Sequence, residues 1–412
     1  MIVAEVMEMV NQIETGSRIR IIDAIRGFCL LGILIANMII FQYGIYGRET
    51  MKFFNPSKLD VVTHQWLLIL VEGSFMPIFM FLFGYSLFKL RESLVSKGIK
   101  PGKPLVRRFL MLMALGLLHS ILLWEGDILL TYGITGFCLL LFVKRKPKTL
   151  VIWGFILSVF IAGISYGLKD DTPKEKESMK RYVEQSIAVY GEGTYLEVMD
   201  FRMNEDPLDL PEAVIIMLVF LMPLVLLPMF LFGIAAANKQ WFHNPKRERH
   251  RYIWATALFL PIGILLKSLA VLQPEGAWSG LLTTAGAELL ALGYIFGLAL
   301  VLSFLSKRSM IIAAFEAVGR MSMTNYLMQS VICTTLFYGY GLGWFGEIGM
   351  LNGFLLAILL YAIQAIVSSY LLRVFKNGPL ERLLRMWTYW SFSGKSKASR
   401  KITETPDVNT AV

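Results

Sequence analysis

Long apolar runs without charge constrain this chain more than anything else in it. From Gly27 to Tyr46 there is no Asp, Glu, Lys or Arg, and similar runs recur from Gly73 to Phe88, Tyr252 to Leu266 and Leu351 to Leu372. About twenty helical residues rising 1.5 Å each cover the roughly 30 Å of a bilayer's hydrocarbon layer. In that layer every backbone N–H and C=O must be satisfied within the protein, which leaves helices or closed barrels. A barrel would show alternating segments of about ten residues, and none is evident. With 56% hydrophobic and 17% charged residues and a mean hydropathy of +0.58, the expected fold class is all-α, a polytopic membrane helical bundle.

Ten spans are expected: about Ile25 to Tyr46, Leu67 to Leu90, Leu105 to Trp124, Ile128 to Val143 and Thr149 to Leu168, then 213–237, 252–272, 279–305, 311–339 and 351–375. Basic residues collect in alternate connections: Lys89 to Arg108, Lys144-Arg145-Lys146, Lys239 to Arg251, Lys307-Arg308 and the stretch beyond Arg373. The connections at Glu125-Gly126-Asp127, Gln273 to Trp278 and Gly341 to Gly349 carry almost none. By the positive-inside bias, this pattern places the N- and C-termini in the cytoplasm. The chain then divides into a five-helix half (1–168), an acidic extracytoplasmic loop (169–212), a second five-helix half (213–390) and a disordered cytoplasmic tail (391–412). The expected location is a membrane that the chain crosses many times.

The same distribution accounts for the net charge of +10, so no nucleic-acid partner is expected. Cys29, Cys138 and Cys333 sit in apolar runs without Cys-x-x-Cys spacing and read as small hydrophobes. The first residues are acidic at Glu5, Glu8 and Glu14, which argues for an uncleaved anchor after Arg26.

The loop 169–212 holds twelve acidic and six basic residues. Within it, Met179, Tyr182, Val183, Ser186 and Ile187 trace one face of an amphipathic helix, either a solvated cap or a lid over an external opening. Met80-Phe-Leu-Phe-Gly84 recurs as Met229-Phe-Leu-Phe-Gly233. Both copies lie on helices expected to run inward, as in a parallel duplication; no inverted repeat is visible.

Ionisable side chains at membrane depth are costly and face the bundle interior. His119 lies eleven residues from Arg108, about 16 Å into the layer, and is the leading candidate. Its imidazole suits a general base or proton relay, with Glu125 or Asp127 available to orient it, although a packing role stays open. His64 and Glu72 precede a break expected at Glu72-Gly73, ahead of Phe75-Met-Pro77. Asp23 and Arg26 form an i, i+3 pair, either a structural ion pair or part of an anion site with Arg107 and Arg108. The polar run Gly319 to Ser330 reads mainly as glue between helices, and His243 and His250 flank a basic loop suited to anionic lipid. No His-Glu-x-x-His, P-loop or dinucleotide fingerprint occurs, so no metal site and no tightly bound cofactor is expected.

Six ordered motifs resemble the YeiB-like family of bacterial membrane proteins. They are R-I-I-D23-A-I-R26-G27, E72-G-S-F-M-P-I-F-M-F-L-F-G84, R107-R108 through G-L-L-H119 to W124-E-G-D127-I-L-L-T-Y132, Y190-G-E-G-T-Y195, G319-R-M-S-M-T-N325-Y and G378-P-L-E381-R-L-L-R385. More distantly, the N-terminal half resembles the transmembrane acyltransferase superfamily that includes heparan-α-glucosaminide N-acetyltransferase. There an Asp-x-x-Arg-Gly helix start precedes an outer His and a Phe-Pro-x-Phe helix. Met76 between Phe75 and Pro77 and a different His spacing depart from that pattern.

The distant resemblance implies acyl transfer from cytoplasmic acyl-CoA, as co-substrate, to a small-molecule or cell-envelope glycan or lipid acceptor. Arg107 and Arg108, with Arg26 and Asp23, would hold the donor phosphates while His64 or His119 activates the acceptor. The competing expectation is a proton-coupled transporter or flippase using His119, Glu72 and Asp127; a non-catalytic scaffold is the third. Membrane lipids are expected partners, and a homodimer is admitted.

Overall fold

The computed structural model describes residues 19–47, 51–167, 173–208, 211–305 and 309–393. Glu5, Glu8 and Glu14, the Lys307-Arg308 connection and all but the first residues of the expected tail lie outside them. All regular structure among the described residues is helical: α1 (Arg20–Gly47), α2 (Lys58–Leu70), α3 (Phe75–Ser96), α4 (Gly102–Leu122), α5 (Leu129–Phe142), α6 (Pro147–Ile164), α7 (Pro173–Glu192), α8 (Tyr195–Asn204), α9 (Glu212–Asn238), α10 (Arg249–Leu272), α11 (Ser279–Phe304), α12 (Met310–Arg320), α13 (Ser322–Phe337), α14 (Met350–Val374) and α15 (Pro379–Tyr389).

Eight stretches among the described residues are long and apolar enough to cross a membrane: α1, the α2–α3 stretch, α4, α6, Leu221–Asn238 of α9, α10, α11 and α14. The expectation was ten, and the difference has local causes. The fourth expected span is α5, apolar but only 14 residues long. The expected span 311–339 is divided at Met321, because the Glu381 carboxylate of α15 accepts from the backbone N–H groups of Met323 (2.7 Å) and Thr324 (3.1 Å). These are orphan donors of a new helix start, so α13 begins there.

The break expected at Glu72-Gly73 is present. The chain turns between α2 and α3 with Gly73 at φ 71°, a conformation that glycine adopts without steric cost. The Lys267 ammonium reaches in from α10, donating to the Glu72 carbonyl and, at 3.1 Å, to Ser74 Oγ.

α1 is central, packing against α3, α12, α13 and α14. The two copies of Met-Phe-Leu-Phe-Gly meet each other: a Cβ on Gly84 would strike the Phe230 carbonyl, and one on Gly233 would strike the Phe81 carbonyl. Equivalent positions thus make equivalent contacts across the α3–α9 crossing, the close backbone approach that small residues permit in lipid. The acidic segment contributes α7 and α8, and the expected amphipathic stretch lies within α7. Val183, Tyr190, Val198 and Phe201 are buried, so this segment is packed as a cap, with Tyr190 stacked on Phe345 at 5.1 Å.

Candidate functional site

α4 and α5 approach so closely that a Cβ on Gly116 would collide with the Leu130 N–H and the Asp127 carboxylate. The short turn between them carries Asp127, whose Oδ1 accepts from Leu130 N–H at 2.8 Å and starts α5. Its other oxygen, Oδ2, stands 2.7 Å from His119 Nδ1. Both side chains are 2% exposed, deep enough for the contact to act at low dielectric. A neutral ring donating from Nδ1 leaves its lone pair on Nε2, and Nε2 is buried with no hydrogen-bond partner among the described residues. Tyr326 covers one side, its ring 5.5 Å from the imidazole and its hydroxyl donating to the Gly126 carbonyl at 3.2 Å.

Of the two carboxylates that could have oriented His119, the structure pairs it with Asp127. Glu125 turns toward the cap, accepting from the Tyr190 hydroxyl at 3.2 Å and pairing with Arg202 at 3.6 Å. Burial and the nearby Glu125 charge push the Tyr190 phenol well above its ordinary pKa, so it remains a donor.

A cavity of about 240 Å³ is lined by Arg26, Phe79, Arg108, Tyr132, Arg320, Tyr326, Glu381 and Arg385 among others. A second of about 200 Å³ adjoins it and shares Phe83, Ser86, Arg108 and Arg385. Residues from five of the six ordered motifs therefore line one chamber. It runs from a basic end to Tyr132 and Tyr326 beside the His119–Asp127 pair. The Tyr132 hydroxyl is buried without a hydrogen-bond partner among the described residues.

The chamber's charge is unbalanced. Arg26 is held by Asp23 at 2.9 Å and donates to Ser86 Oγ at 2.8 Å. Glu381 is occupied by the α13 backbone and by the Thr324 hydroxyl at 2.7 Å. Among the described residues, Arg108 has no ion-pair partner. A polyanion that takes up the guanidinium donors of Arg108 and Arg385 fits this arrangement.

Arg107 faces elsewhere, stacked over the Trp390 ring at 5.0 Å; successive helical residues point about 100° apart. His64 and Glu72 are half-buried. His64 lies on α2, which packs against α10 and α14, while Glu72 lies in the α2–α3 turn beside Lys267. The run after Gly319 forms a polar ladder to α14: Asn325 donates to Ser368 Oγ at 2.9 Å, Gln329 to Gln364 at 2.9 Å, and Gln364 to the Asn325 carbonyl at 3.1 Å.

Lys267, Tyr132, Arg320 and Arg385 were not singled out as site candidates from sequence. Lys267 had a visible signal, a lone charge inside Ile262-Gly-Ile-Leu-Leu-Lys267. Arg320 lies in the run Gly319 to Ser330 that reads as glue between helices, and Arg385 in the basic stretch beyond Arg373 that reads as a topology signal. Among the described residues no group of three or more His, Cys, Asp or Glu side chains comes together.

Residues 236–391 match the family described as "Protein of unknown function (DUF418)". The chain is 31% identical to "Uncharacterized protein YxaH" of Bacillus subtilis, over 94% of this chain and 98% of that one. It is 26% identical to "Uncharacterized protein YeiB" of Escherichia coli, over 89% and 95%. It is also 26% identical to "Uncharacterized 39.9 kDa protein in amylase 3'region" of Bacillus acidopullulyticus, over 92% and 96%.

Proposed function

The chain belongs to the YeiB/DUF418-like family of polytopic bacterial membrane proteins, a multi-pass protein of the cytoplasmic membrane, and on that premise we propose that it is a membrane acyltransferase. The donor is a cytoplasmic acyl-CoA and the acceptor a hydroxyl or amine of the cell envelope. One observation carries this reading: the chamber that contains Arg26 and Arg108 ends on tyrosines bordering a buried His–Asp pair whose Nε2 has no hydrogen-bond partner among the described residues. A CoA thioester has that polarity, with phosphates at one end of a flexible arm and a reactive carbonyl at the other.

The proposed reaction runs through the His119–Asp127 pair. His119 Nε2 takes the proton of the acceptor as its oxygen or nitrogen attacks the thioester carbon. Asp127 stabilises the imidazolium. Collapse of the tetrahedral intermediate breaks the C–S bond, and the thiolate recovers the proton from His119. The unpartnered Tyr132 hydroxyl is the donor for the oxyanion. The two cavities are small for a whole CoA against the roughly 300–1,000 Å³ of ordinary ligand sites, so the nucleotide end sits at the basic mouth.

This proposal includes the finer topology. α5 and the broken α12–α13 pair are taken as the two further crossings, which makes ten and puts both termini in the cytoplasm. Broken and short helices are tolerated where they are buried in protein or line a cavity.

Thermal shift of the detergent-purified protein with acetyl-CoA and CoA tests the donor site. Saturable stabilisation of wild type, lost in Arg108→Gln and retained in His119→Asn and Arg107→Gln, is expected. A flat response from folded wild type would overturn it. A second reading, proton-coupled transport, has its own observation in the buried Lys267 at the α2–α3 break. It predicts solute movement that collapses with the ion gradient, whereas acyl transfer proceeds without one.

A further inference from the structure

On the opposite face of α3 from the arginine chamber lies a larger groove, about 900 Å³, between α6, α9, α10 and α11. Its wall is apolar, built from side chains such as Phe155, Phe232, Phe259 and Phe296. Lys146, Lys148, Lys239 and Arg251 gather at one end. That clustering follows from the chain path, since α6 and α10 begin at this end and α9 finishes there. Lys146, Lys148 and Lys239 are exposed and have no carboxylate partner among the described residues. Arg251 pairs with Glu248 at 3.4 Å and lies over the Trp241 ring at 4.8 Å.

We infer that this groove is a binding site for an anionic glycerophospholipid of the cytoplasmic leaflet, with one acyl chain in the apolar slot and the phosphate among the three lysines. Length supports it. From Lys148 to Ala162 the groove follows α6 for fourteen residues, about 21 Å, more than the roughly 15 Å of one leaflet's hydrocarbon. A chain can therefore enter along its full extent. Charge supports it as well: the mouth is at the basic end of the bundle, and unpaired lysines there meet the leaflet enriched in anionic lipid. Glu288, the one carboxyl on the groove wall among the described residues, lies eight residues, about 12 Å, along α11 from Phe296 toward the other end. It stands level with the chain, away from the headgroup. The site does not depend on the acyltransferase reading, because the groove neither reaches His119 nor shares an arginine with the other chamber.

Native mass spectrometry of the full chain in detergent, with dioleoyl phosphatidylglycerol or dioleoyl phosphatidylcholine added, tests the inference. Wild type is expected to retain one phosphatidylglycerol and to bind phosphatidylcholine far more weakly. The variant Lys146→Gln/Lys148→Gln/Lys239→Gln is expected to lose phosphatidylglycerol affinity on the order of a hundredfold at low salt, and less at high salt. These lysines are exposed, so its melting temperature without lipid should match wild type. Equal retention of the two lipids by wild type would overturn the site, as would a loss smaller than about threefold in the triple variant.

Discussion

Asp127 Oδ2 lies 2.7 Å from His119 Nδ1 while Oδ1 of the same carboxylate accepts from Leu130 N–H at 2.8 Å. One side chain thus starts α5 and orients the imidazole on α4. Its structural and chemical roles are separable by substitution.

Asp127→Asn keeps an oxygen for the Leu130 N–H and should fold with nearly wild-type stability, whereas Asp127→Ala should lose about 1 kcal/mol with the Leu130 hydrogen bond. If His119 is the general base, both Asp127→Asn and His119→Asn lower acyl transfer by roughly 10² to 10⁴. Melting temperature and turnover measured on the same preparations check this. Full turnover in Asp127→Asn would exclude the pair from the chemistry.

At the α3–α9 crossing, Gly84→Leu and Gly233→Leu each force a side chain into a facing carbonyl. Each should destabilise by about 1–3 kcal/mol. The double variant should cost less than the sum, because both open the same crossing. Chemical denaturation in mixed micelles provides the measurement, and an unchanged midpoint would refute the close approach.

Replacing Lys267 by Met removes the donor to the Glu72 carbonyl and Ser74 Oγ. The Ser74 hydroxyl still reaches the Glu72 carbonyl at 3.5 Å, so losing the Lys267 donor should cost roughly 1 kcal/mol. Faster proteolysis at the α2–α3 turn should accompany the loss; a variant as resistant as wild type would show that Lys267 does not secure the break.

Arg26 and Arg108, two of the four chamber arginines, should differ. Arg26→Gln breaks the 2.9 Å pair with Asp23 and should cost roughly 3 kcal/mol, while Arg108→Gln removes a cation with no ion-pair partner among the described residues and should be near neutral or stabilising without ligand. Ligand-free melting curves decide it. A larger loss from Arg108→Gln would contradict the picture of an open anion seat.

His243, in the basic connection between α9 and α10, accounts for a pH effect. Burial, and then the Lys89 charge, lower its pKa below the ordinary 6.5. The unfolded chain therefore binds its proton first as pH falls. The stability contributed by the neutral ring is complete above about pH 6.5 and declines as pH drops through the lowered value. Melting temperature followed from about pH 7.5 to 5 should fall less in His243→Asn than in wild type. Parallel curves would remove His243 from the account.

Much of the architecture was readable along the chain because hydropathy and loop charge are local sums. The apolar runs required helices, the basic connections suggested the orientation, and Glu72-Gly73 announced its break through residues a few positions apart. His119 was visible as an ionisable group at membrane depth, and its partner was one of two acids within one short turn.

Contacts between distant segments were not readable in that way. Only the placement of Arg202 on the cap drew Glu125 off and left Asp127 for His119. Glu381 divided the span after Gly319 and α5 is only 14 residues long, so eight long apolar stretches stand among the described residues where ten were expected. The direction each side chain takes from its helix separated Arg107 from Arg108 and brought Arg320 and Arg385 to the same chamber as Arg26. The sequence by itself determined the solvent of this protein and hence its helices, since bilayer insertion is set by composition over about twenty residues. Which polar groups meet was decided only by the tertiary structure, because that depends on crossing angles and rotations set by packing across the whole bundle.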